Sequence, residues 1–195
     1  MKIRLGMSPI SWSNDDLPQL GGETPLEVCL TETRPVGFTG TENGGKFPTE
    51  AGALKSVLND HDLALVSGWY SGTIINNDLA AEIEQITPQL TLFRDVGAPV
   101  IVYGETYETV QNRQERPLAS RPKLADFDVA AYGRRLTALA EHCADFGVPL
   151  TFHHHMGTAV EHEAEIDQLM NHTGEAVNLL LDTGHLLFAG GDNAA

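Results

Sequence analysis

Three consecutive histidines, His153, His154 and His155, follow an apolar run that begins at Leu150. In an extended strand successive side chains alternate faces, so His153 and His155 point one way and His154 the other. Two imidazoles on one face at a strand end have the chemistry to ligate Mn, Fe, Co or Zn, or to move protons. A histidine run in a loop, or a histidine hydrogen-bonded into a core, is the competing explanation. The second signal is Leu179-Leu180-Leu181-Asp182-Thr183-Gly184-His185, an apolar run that ends in an acid, a glycine and a histidine. A carboxylate at the end of a buried strand is costly unless it is paired or ligates a cation. Alternatively, Asp182 caps a helix that Gly184 and His185 open.

Other candidates are weaker. Glu42 in TENGGKF and Glu105 in VIVYGETY each end an apolar run. There a carboxylate could serve as a base, accept a substrate hydroxyl, or only be solvated. Lys46 lies shortly after Glu42 and could donate a proton or stabilise an oxyanion, although exposed lysines are more often without such a role. Trp12 and Trp69 flank strand ends, where an indole could stack on the apolar face of a sugar or serve as core. Residues 13–16, Ser-Asn-Asp-Asp, read as a helix cap before they read as hydroxyl-binding groups.

These residues must be positioned by regular elements. Apolar runs at 3–7, 38–42, 63–69, 100–103, 150–153 and 179–182 each end in polar or glycine-rich residues before a segment of helical spacing. Leu136, Leu139, Ala140 and Cys143 mark one buried helix face. Leu54, Val57 and Leu58 mark another, as do Ile83, Ile86, Leu90 and Phe93, with Pro88 near a bend, and, more briefly, Ile166, Leu169 and Met170. Gly97 and Gly147 each follow a helix and precede a strand, where a left-handed cap is expected. The segment 106–122 is long, polar and rich in Arg and Gln, and reads as a functional lid or a mobile loop.

Strand and helix alternate with short connections, which predicts an α/β fold around a parallel sheet. The open doubly wound sheet and the closed (β/α)8 barrel both satisfy that rhythm. No G-x-G-x-x-G follows the first strand, and polar side chains end almost every strand. The expectation is therefore a TIM-barrel type with about six βα units present, forming a single domain over residues 1–195.

Composition excludes several classes. Twelve Lys and Arg against 27 Asp and Glu give a formal net charge of −15, which repels a nucleic-acid backbone. Neither cysteine, Cys29 or Cys143, sits in a metal-ligating spacing, and no apolar run reaches the ~18 residues of a membrane span. A reducing, cytoplasmic setting is the expectation, with no nucleic-acid or membrane partner.

The runs SPISWSNDDLPQLGGETPLE, NGGKFP, LVSGWYSG, FHHHMGT and LLLDTGHLLFAGGD occur in an order that resembles the myo-inosose-2 dehydratase family of xylose-isomerase-like barrels. The resemblance implies a lyase that removes water from a keto-inositol through metal-stabilised enediolate formation, with manganese or cobalt as the cation. It also brings glutathione and a homo-oligomer into view. By position it implies His153 and Asp182 as metal ligands, and His155 and His185 as pocket residues, either substrate contacts or the acid/base; Glu105 and Lys46 stand beside them, from residue type and position, as candidate acid, base or charge-stabilising groups. Trp12, Glu42, Trp69 and His154 are the candidate substrate contacts, from residue type and position. A metal-dependent sugar isomerase or epimerase on the same scaffold is the alternative, and a non-catalytic remnant that binds a sugar or a partner is another. Relatives continue past the FAGGDNAA segment into two more strands with a histidine and a glutamate ligand, so the chain is expected to lack part of that barrel. Pro35, where the family differs, is expected to shorten or kink the first helix.

Overall fold

The computed structural model describes residues 3–194. Six strands alternate with six helices: β1 (Gly6–Met7), α1 (Leu26–Thr33), β2 (Gly40–Asn43), α2 (Ala51–Asp60), β3 (Ala64–Gly72), α3 (Leu79–Val96), β4 (Ile101–Glu105), α4 (Val129–Asp145), β5 (Leu150–His153), α5 (Glu163–Met170), β6 (Asn178–Leu180) and α6 (Thr183–Phe188). The strands follow one another across the sheet in sequence order, and the pairs β1/β2, β2/β3 and β5/β6 are parallel. A doubly wound sheet reverses direction at a switch point and so breaks sequence order. The unbroken order 1-2-3-4-5-6 belongs to single winding, which separates the two architectures that periodicity left open.

Local sequence explains the boundaries. Helix α1 ends at Thr33 with Arg34 still at helical angles, φ −66° and ψ −44°; the helix goes no further because Pro35 has no N–H to give to its ladder. Helix α4 starts at an Asp128 cap whose side chain accepts from the Ala131 backbone N–H at 2.9 Å. Its buried face is Tyr132, Leu136, Leu139, Ala140 and Cys143. Pro88 lies inside α3 without ending it. Gly97 and Gly147 adopt φ of 92° and 93°, the left-handed caps expected of them. Strand β1 is shorter than its apolar run, and Ile3 and Leu5 stay exposed before it. Strand β6 ends at Leu180 because Asp182 is already the cap of α6.

Residues 13–16 cap no helix, contrary to expectation: Asn14 Oδ1 accepts the backbone N–H groups of Asp16 and Leu17 in a turn, and Asp15 accepts from Gly45 N at 2.7 Å. The segment 106–122 is also unlike a free lid. The backbone N–H of Val110 and the hydroxyl of Thr109 both donate to Gly157 O, at 3.0 and 2.8 Å, and Arg121 is buried.

The chain divides into two compact units, one running to Trp69 and including Pro88–Ile101, the other comprising Tyr70–Thr87 and the residues from Val102 onward. Leu30, Leu54, Leu90 and Phe93 form the fully buried centre of the first. In the second, Tyr103 stacks on Phe152 with ring centroids 6.2 Å apart, among buried Ile74, Ile86, Tyr132 and Leu136.

The second unit also contains a buried polar network. Glu105, 1% exposed, accepts from Ile75 N at 3.0 Å, from Tyr107 N at 3.1 Å and from the Tyr103 hydroxyl at 3.2 Å. Arg135 donates to the carbonyls of Ile74 and Ile75. Burial pushes the Glu105 carboxyl up to about 8, and the backbone N–H donors of Tyr107 and Ile75 only partly offset it. Gly72 ends β3 beside this network, and an added Cβ there would overlap the Tyr103 ring.

Two outcomes are expected. Gly72→Ala lowers stability in urea unfolding by about 1–3 kcal/mol, because the Tyr103 ring has nowhere to move. Glu105 binds its proton more tightly folded than unfolded, so between pH ~4.5 and ~8 the native state holds more protons and stability falls as pH rises. Glu105→Gln removes that contribution. Its urea midpoint is expected to fall less between pH 5 and 8.5 than that of the wild type, and equal slopes would refute the assignment.

Candidate metal centre

Strand β5 delivers His153 at its last position, and the register His153↔Leu180 sets the end of β6 beside it. Two residues after Leu180 the chain turns into α6, and Asp182 supplies the cap: its Oδ1 accepts from His185 N at 2.7 Å. That bond aims the other carboxylate oxygen. Asp182 Oδ2 lies 3.3 Å from His153 Nε2 and 3.4 Å from His185 Nδ1, and the two imidazole nitrogens are 3.3 Å apart. The two readings of Asp182, helix cap and cation ligand, are thus filled by different atoms of one carboxylate.

The three atoms form a nearly equilateral triangle. Ligand bonds of ~2.0–2.2 Å to a divalent transition metal place neighbouring ligands roughly 3.0–3.5 Å apart, so the spacing fits. Two imidazoles and one carboxylate suit a borderline cation such as Mn, Fe, Co or Zn. Among the described residues this is the cluster of ligand-type side chains whose donor atoms lie within 4.8 Å of one another. Side-chain exposures of 14% for His153, 22% for His185 and 28% for Asp182 leave the triangle partly open, so a cation held there keeps room for an outside ligand.

Electrostatics favour the binding form. Burial, then the neighbouring imidazoles of His155 and His185, push His153 down to about 4, which keeps its lone pair available at neutral pH. Burial alone would raise the Asp182 carboxyl, but the His185 backbone N–H and the His185 and His153 imidazoles outweigh it and hold it below its ordinary value.

His155 lies against this group, its ring centroid 4.0 Å from that of His185 and 5.6 Å from that of His153. Its Nδ1 lies 2.8 Å from Met156 O, which fixes that nitrogen as the N–H donor and makes Nε2 the basic one. His153 and His155 therefore share a region, as strand alternation predicts. His154 is turned away and is 1% exposed, and its Nε2 accepts from Asp182 N at 3.4 Å while its Nδ1 is buried with no partner.

The remaining assignments divide. His154 is too enclosed for the substrate contact expected of it, and it braces the Asp182 backbone instead. Glu105 is likewise sealed in the network above, out of reach of a reacting group. Lys46 is occupied: its ammonium donates to the carbonyls of Gly21, Gly22 and Thr24, which consumes the three donors a catalytic lysine would need. Trp12 donates to Glu32 at 2.6 Å and Glu42 accepts from Ser67 at 2.7 Å; both, with Trp69 and Lys46, belong to the first unit, whereas the histidine cluster belongs to the second. His185, assigned to proton transfer from sequence, stands among the ligand atoms. Sequence reasoning passed over Arg121, Glu161 and Glu165. Glu165 carries a signal, since its place three residues after His162 is the spacing of a capping box, and it accepts from His162 N at 2.9 Å. Arg121 has no local signal.

The chain is 51% identical over 195 residues to the rhizopine catabolism protein MocC of Rhizobium meliloti, covering 100% of this chain and 60% of that protein. It is 36% identical over 196 residues to the inosose dehydratase of Geobacillus thermodenitrificans, covering 98% of this chain and 65% of the relative. The chain thus spans a little under two thirds of the length of these relatives. Among solved structures it superposes on the probable 3-DHS dehydratase AsbF of Bacillus anthracis with a TM-score of 0.70 at 17% identity, covering 97% of this chain and 66% of that one. An L-ribulose 3-epimerase gives 0.68 at 19% identity, with 98% and 64% covered. The sequence profile of the xylose isomerase-like TIM barrel matches residues 30–195, and it is to this family that the chain belongs.

Proposed function

We propose that the chain carries the cation site of a hydro-lyase that dehydrates a keto-inositol, with manganese or cobalt as the metal. The observation that carries this reading is the triangle of His153 Nε2, His185 Nδ1 and Asp182 Oδ2, with sides of 3.3–3.4 Å. Likeness to the Geobacillus inosose dehydratase supports the substrate class. The higher identity to the rhizopine catabolism protein favours a second reading, in which the same chemistry serves a substrate of rhizopine breakdown.

His153, His185 and Asp182 would hold the divalent cation, which would supply Lewis-acid polarisation of a ketone oxygen and so acidify the neighbouring C–H. The chain's own residues supply the proton traffic. His155 Nε2 takes the proton from the carbon beside the ketone, leaving an imidazolium. That imidazolium returns the proton to the hydroxyl on the next carbon as its C–O bond breaks, so one H and one OH leave together as water. The Met156 carbonyl keeps His155 in the tautomer that makes Nε2 the base. Asp182, anionic because of its contacts, and the neutral His153 keep the charge of the site matched to a dication.

Calorimetric titration of Mn²⁺ or Co²⁺ into the purified chain tests the reading. Asp182→Asn preserves the Oδ1 cap on α6 and removes the anionic ligand, so the expected result is an affinity at least about 100-fold weaker with a thermal midpoint close to wild type. His153→Ala is expected to weaken the metal comparably. Metal binding indifferent to both substitutions contradicts the proposal. In a dehydration assay on a keto-inositol, His155→Gln is expected to lower kcat by about 100-fold or more with metal affinity retained, within the usual range of general acid–base contributions.

A further inference from the structure

The turn that follows the three histidines is held from the far side by one arginine. Arg121, whose side chain is 1% exposed, comes from the segment after β4, yet nearly all its bonds go to residues 158–165. One terminal nitrogen donates to Thr158 O at 2.9 Å, Ala159 O at 3.4 Å and Pro122 O at 3.1 Å. The other makes a fork to Glu165 at 2.9 and 3.0 Å, and Nε pairs with Glu161 Oε1 at 3.1 Å. The second oxygen of Glu161 then accepts from Gly157 N at 2.7 Å, and Glu165 also accepts from the N–H groups of Glu161 and His162.

This network closes on His155. The turn 155–160 is joined at its base by His155 N to Val160 O at 3.2 Å, and the Thr158 hydroxyl donates to His155 O at 2.8 Å. Gly157 adopts φ of 79°, and an added Cβ there would lie 2.9 Å from Gln111 N, so the turn is pressed against the 106–122 segment as well as tied to it. A buried guanidinium is costly unless its donors are matched, and two carboxylates with three carbonyls match it here. Lysine could satisfy one carboxylate but not the fork, the Nε contact and the carbonyls together.

We propose that Arg121 is a positioning residue for the histidine cluster: through Glu161, Glu165 and the 157–160 turn it fixes the backbone of His155 and so the placement of its ring beside His185. This deepens the reading above, because it assigns to a distant residue the geometry of the group given the proton-transfer role. It also recasts segment 106–122 as a brace for that group.

The test compares wild type, Arg121→Lys and Glu161→Gln as full chains without metal, reading the imidazole resonances of His155 by NMR, assigned with His155→Gln. Arg121→Lys is expected to shift or broaden the His155 resonances while those of His61, in the other unit, stay in place. With Co²⁺ present, affinity is expected to remain within about threefold and kcat to fall at least tenfold with KM changed less. Should Arg121→Lys not fold, Glu161→Gln, which cuts the link to Gly157 more gently, is expected to move the same resonances. His155 resonances unchanged in the variants that fold, with only the melting temperature lowered, overturn the proposal. Because the resonances are read without metal, a wild-type chain that binds no Co²⁺ would remove the dehydratase reading and leave this comparison decisive.

Discussion

A single carboxylate serves two masters at the end of β6. Asp182 Oδ1 satisfies one of the free backbone N–H groups in the first turn of α6, that of His185, and with that bond made the side chain has little torsional freedom left. Oδ2 is consequently aimed at the space between His153 and His185. Because His185 is itself the residue whose N–H is capped, the cap fixes two of the three ligand atoms relative to each other. The third arrives from β5, whose parallel register with β6 places His153 opposite Leu180. A site of this kind is built from strand pairing and a helix cap, two of the least adjustable features of the backbone.

The surroundings protect the arrangement. His154 fills the buried side of β5 and receives the Asp182 backbone N–H, so the two strands' ends are joined beneath the ligands as well as through them. Its unpartnered Nδ1 is a cost of order 1–3 kcal/mol that a purely structural core would have avoided with an apolar residue. On the other side the Arg121 network fixes the turn that carries His155. The His153–Asp182–His185 triangle and the turn that carries His155 are thus held by separate devices, and damage to one need not propagate to the other.

Much of this was legible in the residues. The six apolar runs, the helix faces and the two glycine caps follow from periodicity and from the left-handed freedom of glycine at Gly97 and Gly147, and local rules govern them. His153 and Asp182 were visible because strand-end position restricts what a polar side chain can be doing, whereas His185, inside α6, was marked in the same run but assigned to proton transfer. The failures have a common physical cause. Lys46, Glu105 and His154 were placed by residue type and position alone, and for each the deciding contacts come from residues far away in the chain: the 21–24 carbonyls, Ile75 and Tyr103, and Asp182. The choice between lid and loose loop for 106–122 likewise turned on Arg121 meeting Glu161 and Glu165, roughly forty residues on.

The Asp182–His153–His185 triangle, as a proposed cation site, is distinct from a self-contained hydrogen-bonded cluster. A crystal of the chain grown with Mn²⁺ and measured for anomalous scattering decides between them. A cation site gives one strong peak about 2.0–2.3 Å from His153 Nε2, His185 Nδ1 and Asp182 Oδ2 at once. A peak elsewhere, or an Asp182 carboxylate hydrogen-bonded directly to both imidazoles with no peak between them, would contradict it.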